Sequence, residues 1–313
     1  GGMCVDSGDR VQVVGGDFLG WDPTARVGTR NRLIAKGPSF VAERVGMGKE
    51  FRASSDEWAR AVQARNGPDG ALYIVDMYRR FIDHSRFFPE DFAKSHYMRA
   101  GLDQGRIWRV VPRGAKHQKI EFMPGDLPSL VRLLNHPNAW HRTNAQRLLV
   151  ERGDAAAAPL LEALIAEAPS PLAVTLAFRT LEGLEKLTPE ILRSVSSPDS
   201  GLVENKLHVI AELGWELEFS DFIASSQTSE DARTRFLALA LFPGQKPGIA
   251  NLVAKITADP DDTWFRKAIF SSSPELVPAL LVKLLESKEF LESSAESAPE
   301  VLTDIARLTT ASG

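Results

Sequence analysis

From Leu127 onward the sequence breaks at regular intervals, and that period limits the possible folds more than any other feature. Pro137, Pro169 and Pro198, followed by polar loops at Ser229 and Pro260, recur every 32, 29, 31 and 31 residues. Proline lacks a backbone donor and clashes inside a helix, so such breaks mark loops between helices. Between them apolar residues recur at three- and four-residue spacing, and each unit reads as helix, polar loop, helix. The expected helices are 127–134, 138–152, 155–167, 172–187, 189–195, 201–213, 219–225, 231–241, 249–258 and 263–270. Helix pairs repeating at this interval cannot bury their apolar faces alone. Stacked neighbours complete the core, which is the logic of an α-solenoid of compact HEAT-like units. Trp140, Leu148, Leu149, Leu176, Phe178, Leu181, Leu207, Ile210, Phe236 and Leu239 are its expected core.

Before Pro112 the pattern differs. Short strands are expected at 10–14, 39–45, 71–76 and 105–111, separated by glycine-rich turns. Asn66-Gly67-Pro68-Asp69-Gly70 is the clearest hairpin signal, because glycine adopts positive φ without a steric penalty. The run Leu72 to Val75 is apolar on both pleat faces, which predicts cover on both sides. Between the last two strands lies a long insertion, Met77 to Leu102, rich in aromatic residues, with a short helix expected at 90–98. Long connections inside compact domains are often functional. The insertion is expected to fold over the sheet and join it to the helices, burying Tyr78, Phe81 and at least one of Phe87 and Phe88.

Several classes fall away on composition. Cys4 is the single cysteine of the 313 residues, so the sequence holds no internal disulfide, CxxC redox pair or CxxCH haem attachment. The longest apolar runs, 236–242 and 276–285, fall short of the ~18 residues that span a bilayer. The first residues lack a signal-peptide pattern, so the sequence alone does not fix a compartment. Residues 1–114 carry 18 basic and 14 acidic side chains and residues 115–313 carry 19 and 27, so neither part is basic enough for a nucleic-acid surface.

Glu50 to Arg60, Asn66 to Arg79 and Asp103 to Pro112 together resemble the end of a β-propeller family. This family is the large dehydrogenase-like proteins of planctomycetes and verrucomicrobia, related to glucose/sorbosone dehydrogenases. Leu134-Asn135-His136-Pro137-Asn138-Ala139-Trp140-His141-Arg142 resembles the first HEAT-like repeat that follows the propeller in the same family. Where the family has a Trp-Phe-Arg-Pro-Val run, this sequence has Trp58-Ala59-Arg60-Ala61-Val62. The resemblance implies an α+β multidomain chain: the end of a β-propeller-like domain at 1–114, a linker at 115–126 and a HEAT-like α-solenoid at 127–313. It also implies a periplasmic or secreted setting, pyrroloquinoline quinone (PQQ) as the cofactor of the full-length family and c-type haem in a further domain. Neither cofactor is expected on this chain alone. Propellers need roughly 4 to 8 blades of ~40–45 residues, and 114 residues supply two or three. Either earlier blades lie elsewhere, or the strands form a reduced β domain.

The candidate substrate- or cofactor-proximal residues are Asp76, Tyr78 and Arg79 at the end of the apolar strand, Asp56, Trp58 and Arg60 before it, and Asp103 and Arg106 after the insertion. A carboxylate near two guanidiniums can orient a polar substrate; equally, Asp76 can cap the turn while the arginines close the sheet, with Asp76 and Arg79 pairing at its edge. His84 and His96, with Asp83, Glu90 and Asp91, match no closed metal-ligand spacing. His136 and His141, treated as five residues apart on one helix, would stand about 140° apart and share no face. Gly15 to Gly20 has glycines at phosphate-loop spacing but Trp21 where lysine is needed, and reads as a turn. No hydrolase motif is present. Two functions follow: the C-terminal propeller and solenoid part of a sugar or alcohol dehydrogenase-like protein, or a non-catalytic scaffold of HEAT repeats capped by a small β domain. Both expect a protein partner or missing blades as the docking surface's occupant.

Overall fold

A computed structural model describes residues 2–5, 17–115, 120, 123–242, 248–272, 276–292 and 298–311. The expected strand at 10–14 lies outside the described residues. The chain is mixed α/β, with two small antiparallel sheets followed by helices, and neither sheet closes into a barrel. It forms two compact units, residues 1–34 with 40–160 and residues 35–39 with 161–313.

The first sheet runs β1 (Gly2–Val5), β2 (Asp17–Asp22), β3 (Val27–Lys36) and β4 (Ser39–Arg44) in that order, with β5 (Arg52–Ala53) also paired to β3. The second is β6 (Ala61–Asn66), β7 (Leu72–Asp76) and β8 (Arg106–Val110). Alternation builds the core between them: Leu19 and Trp21 of β2 meet Ala61, Ala64, Leu72 and Ile74 of the second sheet, with Phe51 at the margin. Residues 17–20 are therefore strand, not the turn expected there, because Asp17, Leu19 and Trp21 alternate inward. The Asp17 carboxylate is buried in this layer against Arg30 and Arg32. In β7 Leu72, Ile74 and Asp76 point into the core, whereas Val75 is 38% exposed, so the strand is not covered on both faces as expected.

The insertion also departs from expectation. Its helix, α1 (Glu90–Ser95), forms, but Phe81, Phe88, Phe92 and His96 pack edge-to-face and stacked on one another, and Phe87 stays 68% exposed. Tyr78, Phe81 and Phe88 are half-buried rather than covered by helices. Contact between the second sheet and the helices comes instead from the β6–β7 turn. Asn138 Nδ2 donates to the carbonyls of Gly67 and Pro68 at 2.8 and 3.3 Å, and His141 Nε2 lies 3.0 Å from the Pro68 carbonyl.

The helical expectations hold closely. α2 (Leu127–Leu133), α3 (Ala139–Arg152), α4 (Ala158–Glu167), α5 (Pro171–Gly183), α6 (Pro189–Ser194), α7 (Ser200–Leu213), α8 (Ser220–Gln227), α9 (Ala232–Leu241), α10 (Ile249–Ala258) and α11 (Thr263–Ser272) follow in order, then α12 (Val277–Glu286), α13 (Lys288–Glu292) and α14 (Ala298–Ala311). No described residue between 155 and 272 is in a strand. Within the second unit α5, α7, α9 and α11 touch in series. Leu149, Phe178, Leu181, Leu207, Ile210 and Leu239 are buried; Trp140, Leu148, Leu176 and Phe236 are half-buried.

The repeat is sharper in the helix caps than in the prolines. Asn138, Ser170, Asp199, Asp231 and Asp262 each accept from an amide of the following first turn, and they lie 32, 29, 32 and 31 residues apart. Four residues after three of these caps stand Arg142, Arg235 and Arg266, all buried, each donating back to carbonyls of its own loop. Arg235 also donates to Asp262, the next cap, at 2.7 Å, tying one repeat to the following one.

Candidate functional site

Asp76 is the centre of the expected constellation and is 1% exposed. The last inward position of β7 places it at the end of the core, where a bare carboxylate would be costly. Its oxygens are instead fully occupied. Oδ1 accepts from the amides of Arg60 at 2.7 Å and Tyr78 at 3.1 Å, and Oδ2 from Trp108 Nε1 at 2.8 Å and Arg52 Nη2 at 3.4 Å. In place of the expected pair with Arg79, Asp76 pairs with Arg52; Arg79 is held through its backbone carbonyl, which accepts from Arg60 Nε at 3.0 Å. Arg52 and Trp108 were not among the expected residues. Only the strand register, Gly28 opposite Arg52 and Ile74 opposite Trp108, brings them to this point.

Arg60 works as a staple. Its guanidinium donates to the carbonyls of Pro23, Thr24, Arg79 and Arg80 at 2.8 to 3.2 Å, fastening the β2–β3 turn to the start of the insertion. Burial, then the nearby Arg26 charge, pull its pKa below the ordinary arginine value. Its Nε, Nη1 and Nη2 each donate to backbone. Asp76 and Arg60 thus form a polar latch at the edge of the sheet.

A second group is more open. The Trp58 and Tyr78 rings lie 5.9 Å apart, and the Arg106 guanidinium sits 3.4 Å from the Tyr78 ring centre and 5.6 Å from that of Trp108. Asp56 Oδ1 accepts from the Trp58 amide at 2.9 Å. That bond first, then Tyr78, holds the Asp56 carboxyl below the usual range, and the Arg106 charge adds to it. Tyr78 adopts φ 49°, and Gly101 (φ 87°) lies so close that a Cβ there would stand 2.5 Å from the Tyr78 carbonyl oxygen. The structure thus brings Asp56, Trp58, Tyr78, Arg106, Asp76 and Arg60 together. Asp103 is exposed, with a contact to Gln104 at 3.3 Å, and does not join them.

A further polar hub went unread in the sequence, at the β6–β7 turn. Asp69, buried, accepts from the Ala71 amide at 3.1 Å, Tyr73 Oη at 3.1 Å and Arg109 Nε at 2.7 Å. Burial pushes its carboxyl up, but the hydrogen bonds from Arg109, Ala71 and Tyr73 outweigh it and leave the pKa below the usual value. Asp-Gly signalled the turn and concealed this role. The separation argued for His136 and His141 does not hold: their rings are 4.2 Å apart, because His136 precedes the first residue of α3 and the helical angle does not apply. His84 Nδ1 caps a short 3₁₀ turn, accepting from the Arg86 amide, and His96 stacks on Phe92. Among the described residues no group of three or more His, Cys, Asp or Glu side chains is placed to hold a metal ion, and no helix is long and apolar enough to cross a membrane.

A family model described as a domain of unknown function (DUF7133) matches residues 4–114, the stretch that holds both sheets. No curated protein matches this chain. Among solved structures, an engineered protein is 18% identical, with a TM-score of 0.30, over 59% of this chain and 98% of its own; a likeness at that score says nothing about the fold.

Proposed function

We propose that this chain is the C-terminal part of a larger PQQ- and haem-linked sugar or alcohol dehydrogenase-like protein, in which it docks and scaffolds rather than reacts. The observation that carries this reading is the open edge of the second sheet. Among the described residues β8 pairs with β7 alone, yet it presents apolar side chains on both faces: Ile107 is 67% exposed, Trp108 44% and Val110 39%. Sheets with such an edge normally gain a further strand or cover. A fourth strand here, with more blades beside it, would make these sheets the last blades of a propeller.

The latch at Asp76 supports a docking role, since both oxygens of its carboxylate are taken up and Arg60 is held by backbone carbonyls. The evenly spaced caps and the arginines four residues after them support reading the helical part as HEAT-like repeats, a scaffold for a partner protein. The alternative, a self-contained scaffold capped by a small β domain, differs in what covers β8. Dye-linked oxidation of sugars and alcohols tests the proposal. With added PQQ, the 313-residue chain is expected to show none and the complete gene product to show it. Turnover by the chain alone, or a gene that encodes no further β segments, would overturn the reading.

A further inference from the structure

Lys206 of α7 is 5% exposed and has no carboxylate beside it among the described residues. Its Nζ donates to the Val195 carbonyl at 2.8 Å, closing the C-terminal end of α6, and lies 4.6 and 5.6 Å from the ring centres of Phe222 and Phe219. One acceptor for three ammonium protons is a poor return for burying a cation, and lysines are rarely this buried unless paired. Burial lowers its pKa to about 8, with no charged group among the described residues offsetting it.

The same lysine lines a pocket of about 410 Å³ within the second unit. Val195, Leu202 and Phe219 supply apolar wall, and Arg193, its guanidinium 5.4 Å from the Phe219 ring centre and 3.6 Å from the exposed Glu190 carboxylate, adds a second cation at the rim. Glu218 and Asp221 also line the mouth, both exposed. We propose that this pocket binds a small organic carboxylate with an apolar body, whose carboxylate pairs with Lys206 and Arg193 while its body packs on the phenylalanine rings. The two acidic residues at the mouth select against dianions such as phosphate. The bound carboxylate supplies the counter-charge that the fold leaves out.

The test uses the full chain with ¹³C-labelled lysine and three probes: phenylacetate, its uncharged analogue phenylacetamide, and inorganic phosphate. Phenylacetate is expected to shift the Lys206 Cε resonance saturably and to raise the pH at which Lys206 titrates by about one unit, because a nearby anion favours the ammonium form. Phenylacetamide and phosphate are expected to do neither. Lys206→Met should weaken phenylacetate binding at least ~10-fold, and Arg193→Gln, at an exposed position, ~3- to 10-fold with the fold intact. Absence of a saturable shift, equal binding of phenylacetamide or phosphate, or undiminished binding by Lys206→Met would overturn the assignment. If Lys206→Met does not fold, the Lys206 resonance of the unaltered protein with and without phenylacetate decides.

Discussion

Replacing Asp76 with Ala separates a structural latch from a reactive carboxylate. The substitution removes the acceptor for two amides, an indole and a guanidinium at 2.7, 3.1, 2.8 and 3.4 Å, all packed where Asp76 is 1% exposed. Hydrogen bonds to a charged group contribute ~1.5–3 kcal/mol each, but the 3.4 Å contact is weak and the losses overlap. Breaking a buried charged cluster from one side costs ~3–5 kcal/mol, a large share of the ~5–15 kcal/mol of a typical fold. At ~2–4 °C per kcal/mol, the first unit should melt about 6–20 °C lower. Four of the six tryptophans, Trp21, Trp58, Trp108 and Trp140, lie in that unit, so tryptophan fluorescence follows it while far-ultraviolet circular dichroism is weighted to the helices. Asp76→Asn should cost less, ~2–3 kcal/mol, since it keeps an acceptor for the amides but turns an NH₂ toward Trp108 and Arg52. A fluorescence midpoint for Asp76→Ala within two degrees of the unaltered protein would refute the latch and restore Asp76 as a candidate for chemistry.

Phe178→Ala, at a fully buried position of α5, should cost ~3–5 kcal/mol and lower the circular dichroism transition while the fluorescence transition holds. Gly101→Ala should destabilise the first unit by about 2–4 kcal/mol, because its φ of 87° and the Tyr78 carbonyl both exclude a Cβ; a neutral effect on urea denaturation would contradict that packing. For Lys206 the folded pKa of about 8 lies below the unfolded 10.5, so the unfolded state holds more protons between those values and stability rises with pH across that window. The stability difference between the unaltered protein and Lys206→Met should therefore move by about 1–2 kcal/mol in favour of the former between pH 8 and 10.5, and a flat difference would refute it.

The helical half was legible because its signal is local. Cap, apolar spacing and proline lie within one turn of each other, and the expected helix ends differ from those found by a few residues at most. The arginines four residues after Asn138, Asp231 and Asp262 were equally visible, but hydrophobic periodicity passes over buried charges. The β half was less legible. β3 (VGTRNRLIAK) and β6 (AVQARN) carry polar residues that hide their alternation, and the apolar run 72–75 could not show that one of its faces meets solvent. The candidate site was found as a neighbourhood, since Asp56, Trp58, Tyr78 and Arg106 do assemble. Its key pairing was missed because Arg52 reaches Asp76 through sheet register, across 24 residues that no local pattern spans.

Hydrogen exchange at β8 tests the docking account most directly. Residues 106–110 form an edge whose amides not bonded to β7 face outward, whereas β7 is paired on both sides. In the 313-residue chain as a monomer, the peptide covering 105–111 should exchange much faster than that covering 72–76, and in the complete gene product it should become as protected as β7. Protection of 105–111 already in the monomer, or no gain in the complete protein, would contradict the claim that this edge awaits further β-structure.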